Sequence, residues 1–244
     1  MSVRCQLLLM LTVIVGLVPT AFSSAADTCV YVSDAGTQSI VLYHLDEATG
    51  KLKEVARLNV GTAPGSLAVN VERQLLFASL RTNAEVGSFQ TGEHGQLSLI
   101  NKTELGSGAN AAYVATDKQG RHLLAASYSG GRVTVHEIGE GGKLAAAALQ
   151  TIETAQTAHA AVLTADQKWL FVPHVAPNAI FQFRFDAQSG KLTQQEKAPG
   201  GKEGAGPRHL AIHPAQKFAF SSDESGNSVT LYSLDAEQGL KPLQ

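Results

Sequence analysis

The feature that most constrains this chain is a repeat of about 47 residues. A Gly-Lys-Leu or close variant recurs at Gly50-Lys51-Leu52, Gly95-Gln96-Leu97, Gly142-Lys143-Leu144, Gly190-Lys191-Leu192 and Gly239-Leu240, the glycines lying 45, 47, 48 and 49 apart. A basic residue opening an apolar run keeps the same step, at Arg73-Gln74-Leu75-Leu76-Phe77, Arg121-His122-Leu123-Leu124-Ala125, Lys168-Trp169-Leu170-Phe171-Val172 and Lys217-Phe218-Ala219-Phe220. Two independent markers in step imply a solenoid, a propeller or an array.

Strand content decides among these. The last repeat reads as runs over 207–213, 217–222, 228–234 and from Leu240 onward, separated by turns at Pro214-Ala215-Gln216, Gly226-Asn227 and Gln238-Gly239. The runs are short, apolar or alternating, and end at turn residues, while no helical i, i+3, i+4 stripe persists. Val229, Leu231 and Tyr232 favour extended backbone. Four antiparallel strands per repeat make the blade of a β-propeller, so the expected fold class is all-β. Residues 28–58 supply three strands without an innermost one, and 63–101, 108–151, 157–196 and 206–244 supply four further blades. An inner strand from the C-terminus would ordinarily complete the first blade and remove sheet edges. Gln244 instead falls in an outer strand, so an open arc is expected, either a fragment or a ring completed in some other way.

Residues 1–25 read as a secretory signal peptide. Arg4 precedes the apolar run Leu7–Val18, and Ser23-Ser24-Ala25-Ala26 offers small residues for cleavage. The run is short of the ~20 residues that a spanning helix needs, so no stable membrane anchor is expected after cleavage. The mature chain, 27–244, would be periplasmic or secreted. Cys5 leaves with the leader, so no internal disulfide is expected in the mature chain. The formal net charge of −2 gives no basic excess, which argues against a nucleic-acid partner.

Glu203-Gly204-Ala205-Gly206-Pro207-Arg208-His209-Leu210, then Ile212-His213-Pro214 and Asp223-Glu224, resemble the seven-bladed propeller lactonases, which include propeller-type 6-phosphogluconolactonases and carboxy-cis,cis-muconate cyclases. Arg208 and Glu224 keep that family's spacing of sixteen residues. Thr157-Ala158-His159-Ala160-Ala161-Val162, followed by Trp169-Leu170-Phe171-Val172-Pro173, resembles an upstream family motif in which a His opens an inner strand. The resemblance spans nearly the whole of 27–244 and implies that about five of seven blades are present. It implies hydrolysis of a sugar lactone of the 6-phosphogluconolactone type by activated water without cofactor, with a small-molecule lactone or sugar acid as the partner. No His, Cys, Asp or Glu cluster has metal-ligand spacing, so no catalytic metal is expected. A lactone-forming cyclase and a non-catalytic exported binding propeller are the alternatives. An exported phosphogluconolactonase is awkward, because a phosphorylated substrate is expected inside the cell.

The residues themselves agree with a shared rim. Strand 207–213 turns and returns as 217–222, so Arg208 and Glu224 lie at one end of a hairpin. His159 and Arg208 each lie nine residues before a basic opener, a position held by Pro64 and Ala112 in earlier repeats. Arg208 is expected to hold an anion or stabilise an oxyanion, with Glu224 or His159 moving the proton. An ordinary ion pair at a blade corner and a hydrogen-bonded turn histidine are the plain readings of the same residues. His209 alternates with Arg208 and should point to the opposite side, a structural position; His174 should return to the rim near His159. Both are carried as candidate substrate contacts. The open faces of the terminal blades suggest self-association. The Gly-rich run from Pro199 to Gly206 lacks the order and following helix of a phosphate-binding loop, and Ser127 and Ser129 lack the setting of a nucleophile elbow.

Overall fold

The computed structural model describes residues 28–244; the leader, its cleavage site and Cys5 lie outside the described residues. Five antiparallel sheets follow one another along the chain. The first has three strands, β1 (Thr28–Asp34), β2 (Ser39–Asp46) and β3 (Lys51–Asn59). The second comprises β4 (Pro64–Asn70), β5 (Leu75–Leu80), β6 (Glu85–Thr91) and β7 (Leu97–Glu104). The third comprises β8 (Ala111–Thr116), β9 (His122–Ser127), β10 (Arg132–Glu137) and β11 (Gln150–Glu153). The fourth runs β12 (Val162–Leu163), β13 (Trp169–His174), β14 (Ala179–Phe185) and β15 (Leu192–Gln194), with β16 (Ala198–Pro199) also on β14. The fifth comprises β17 (Pro207–Ile212), β18 (Phe218–Asp223), β19 (Ser228–Asp235) and β20 (Gly239–Pro242). These are the blades of a β-propeller arc.

The inner strand expected from residue 157 is shorter than its counterparts. Ala158 bridges to His174 and the His159 N–H reaches the Pro173 carbonyl at 3.0 Å, but regular pairing resumes only at Val162. Pro173 explains the gap: its carbonyl faces the inner strand, and its nitrogen, on the same side, has no hydrogen to donate.

The apolar runs after each basic opener become the second strands, and strand alternation shares their side chains between two neighbours. Leu76, Ala78 and Leu80 join Ile40 of the first sheet, while Leu75 and Phe77 join Leu123 and Ala125 of the third. Leu124 and Ala126 meet Leu170 and Val172 of the fourth sheet, whose Trp169 and Phe171 meet Ala219 and Tyr232 of the fifth. Each interface thus buries large apolar side chains, roughly 1.5–3 kcal/mol apiece, and this packing holds neighbouring blades together.

Strand β18 departs from this pattern. Ala219 and Ser221 are buried, but Phe218 and Phe220 are 40% and 38% exposed. Phe220 faces Leu231 across the sheet, and Ser222 faces Val229, which is 65% exposed. Among the described residues no core cluster joins the fifth sheet to the first, so the sheets form an arc and not a closed ring.

Candidate active site at the rim of the blades

The loop before β17 ends at Gly206, whose φ of 69° places it in the left-handed region that suits glycine. Pro207 then pairs with Asp223, and His209 with Ser222, leaving Arg208 as an extra residue between them. Such a bulge re-aims the side chains around it. Arg208 Nη1 donates to His209 Nε2 at 3.3 Å. His209 therefore lies beside Arg208, which corrects the expectation from strict alternation. Bulges recur between Ala111 and Tyr113 and between Pro64 and Leu67. Because Pro64 pairs with Leu80, Gly65 and Ser66, not Pro64, occupy the bulge of the second blade.

Glu224 directly follows β18, and its N–H donates to the Gly206 carbonyl at 2.8 Å. Its Oε2 lies 2.8 Å from Arg208 Nε, with both side chains nearly half exposed. The Nε–H is not aimed at the carboxylate, so this is an ion pair without a well-formed hydrogen bond. A pair this exposed contributes only ~0–1 kcal/mol to stability. Holding the fold together is a poor explanation for it.

His159 comes in from the preceding blade. Its ring is 5.0 Å from that of His209 and 5.6 Å from that of Tyr128, edge to face in both cases. Its Nδ1 is buried without a hydrogen-bond partner. Burial, reinforced by the Arg208 charge, pushes its pKa down to about 4; His209 is lowered by the same two causes. Both rings are neutral at pH 7.

His174 does not join this group. It is fully buried against Phe181, at 4.1 Å between ring centroids. Its Nδ1 donates to the Val172 carbonyl at 2.9 Å, which leaves Nε2 to accept from the Thr154 hydroxyl at 3.0 Å. Two residues after Val172, it shares the face that packs on the third sheet. With no exposed surface and both nitrogens engaged, His174 lies in the core and not on the rim where it was expected.

Two residues at the rim went unread in the sequence. Tyr128 brings its ring against His159, and Arg81 donates from Nε to Asn110 Oδ1 at 2.6 Å. Both hold the repeat position of Glu224, since 81, 128, 175 and 224 are 47, 47 and 49 apart. Carrying the repeat count past the second strand would have found them. Ser127 is buried and accepts the Asn110 N–H at 2.8 Å, a turn role.

A cavity of about 470 Å³ opens at the opposite ends of the strands, among Arg73, Arg121, His122 and Glu137. Its arginines are committed to backbone carbonyls, Arg73 to Gly139 at 2.8 Å and Arg121 to Ala187 at 2.6 Å. His122 Nδ1 is 3.0 Å from the buried Asp117, whose carboxylate also accepts the Arg121 and His122 N–H groups. These groups tie turns together. Among the described residues no three or more His, Cys, Asp or Glu side chains are grouped as metal ligands.

Residues 23–244 match the family described as Lactonase, 7-bladed beta-propeller. The chain belongs to this propeller lactonase family. It is 30% identical over 213 residues to a 6-phosphogluconolactonase of Erwinia tasmaniensis, and 29% identical over 215 residues to one of Klebsiella pneumoniae. Each match covers 86% of this chain and 62% of the relative, so the chain spans under two thirds of the curated proteins it matches. Among solved structures, a protein from Lactobacillus plantarum superposes with a TM-score of 0.79 at 17% identity, over 90% of this chain and 68% of that one. A periplasmic gluconolactonase of Pseudomonas aeruginosa gives 0.75 at 23% identity, over 88% and 66%. Both likenesses are of fold.

Proposed function

We propose that the rim formed by Arg208, Glu224, His159 and His209 opens a sugar lactone of the 6-phosphogluconolactone class by hydrolysis. The observation that carries this reading is a solvent-accessible guanidinium and carboxylate at 2.8 Å, set against imidazoles kept neutral at pH 7. The family and the 6-phosphogluconolactonase relatives supply the reaction class. Water adds to the lactone carbonyl carbon and its proton passes to the Glu224 carboxylate or the neutral His159 ring. The carbonyl oxygen becomes an oxyanion against the Arg208 guanidinium. When the carbon–ring-oxygen bond breaks, that oxygen takes a proton back and the product is a hydroxy acid. No cofactor enters any step. On the leader read in residues 1–25, the mature chain works outside the cytoplasm.

The neutral histidines set the pH dependence. Protonating His159 would place a second cation beside Arg208 and remove a proton acceptor. With its pKa at about 4, kcat/KM should stay flat from pH 7 to 5 and fall only as pH approaches 4. An acid limb near 6.5, the value of a free imidazole, would show that His159 is not held as described.

The exposed face of β18 and β19 has a consequence in solution. Phe218, Phe220 and Val229 are apolar positions matching those buried between the other blades. Residues 27–244 should associate through this face with a second copy, so that light scattering during size exclusion gives a mass rising with concentration. Phe218→Ser with Phe220→Ser should reduce it; a monomeric parent over a hundredfold concentration range would dispose of this expectation.

A further inference from the structure

The Gly-rich run from Pro199 to Gly206 has no phosphate-binding order, yet one side chain bonds it at two points. Asn178 sits in the turn between β13 and β14, with φ of 49°. Its Oδ1 accepts the Gly206 N–H at 2.8 Å and its Nδ2 donates to the Lys202 carbonyl at 3.0 Å. Gly206 in turn accepts the Glu224 N–H through its carbonyl, and it lies two residues before Arg208. One residue thus links Asn178 to both members of the ion pair. Gly200 leaves room for this: a Cβ there would stand 2.5 Å from Asn178 Oδ1 and 2.6 Å from Pro207 Cδ.

The three preceding blades provide an internal control. The same turn position is held by Gln38, Ala84 and Gly131, with φ of 55°, 54° and 60°. Their carbonyls accept from Val60, Leu105 and Thr154 at 2.9, 2.8 and 2.7 Å, just as Asn178 accepts from Gly200 at 2.8 Å. That backbone bond belongs to the fold and survives with Ala or Gly in place. The side-chain amide bonds to the following loop have no counterpart at Ala84 or Gly131. They occur in the blade that precedes Arg208 and Glu224.

We infer that Asn178 is a positioning residue that fixes Gly206 and so sets Arg208 and Glu224 in register for lactone opening. This rests on the rim being the lactone site, and its test has a readout that does not. Asn178→Gly keeps the turn conformation and the backbone bond, as Gly131 does, and removes only the amide. Asn178→Asp keeps the oxygen that accepts from Gly206. For Asn178→Gly, kcat should fall about tenfold or more with little change in KM, because small displacements of reacting groups cost that much. Asn178→Asp should recover most of the loss.

Titration of the His159 and His209 ring protons by NMR gives the second readout. Arg208, Glu224 and Tyr128 surround these rings, and Arg208 lowers both. If Arg208 shifts in Asn178→Gly, both should titrate higher than in the parent. A parent without lactonase activity would defeat the proposed function while leaving this titration to decide the role of Asn178. Parent-like turnover and titration in Asn178→Gly would overturn the inference. So would a loss of turnover that Asn178→Asp fails to rescue and that leaves both titrations unmoved.

Discussion

Replacing Arg208 with Ala, or Glu224 with Gln, should each slow lactone hydrolysis by ~10²-fold or more, about 3 kcal/mol of transition-state stabilisation. Arg208→Ala removes the cation facing the developing oxyanion. Glu224→Gln removes a proton acceptor and the charge paired with Arg208 at 2.8 Å. Neither change should do much to the fold, since both side chains are nearly half exposed and a pair in that setting adds at most ~1 kcal/mol. Steady-state kinetics with thermal melts on the same samples separate the two effects. Activity within about threefold of the parent for both variants, far short of the usual general acid–base contribution, would favour a binding role for the rim.

A second large effect concerns acid. The His174 pKa is pushed down to about 4 by burial, against an ordinary 6.5. Between those values the unfolded chain takes up a proton that the folded chain refuses. Stability is therefore full above 6.5 and is lost as pH falls towards 4, by ~3 kcal/mol for this one group. His159 and His136, both lowered chiefly by burial, act in the same direction. Asp34, Asp117 and Asp186, whose carboxyls are lowered from 3.8, add their loss only below about that value. Chemical denaturation at pH 7, 5.5 and 4 should show the early loss, and His174→Gln should flatten it. A parent equally stable at pH 7 and pH 4 would contradict the buried, neutral assignment.

The repeat made the blades legible because alternation forces each second strand to be apolar on both faces wherever it lies between two neighbours. Lys168-Trp169-Leu170-Phe171-Val172 is such a strand, and its side chains do divide between two interfaces. The meeting of Arg208 and Glu224 was legible for a related reason: a tight hairpin returns residue 224 to the level of residue 208. His209 was misplaced because the Arg208 bulge interrupts alternation, and a bulge has no signature in the residue pattern here. His174 was misplaced because its height along the hairpin was read and its face was not. It shares the side of Val172, which is core. The role of Asn178 lies in side-chain bonds to a loop some twenty-five residues on, which no local pattern displays.

The central claim is that the Arg208 rim opens lactones. Acid release from 6-phosphoglucono-δ-lactone at pH 6.5, with glucono-δ-lactone in parallel, measures it directly for residues 27–244 and for their Arg208→Ala variant. Saturable release well above the spontaneous rate, lost in the variant, is the expected result, and the better of the two substrates defines the lactone class. Release at the spontaneous rate for the parent, or undiminished release from Arg208→Ala, would contradict it.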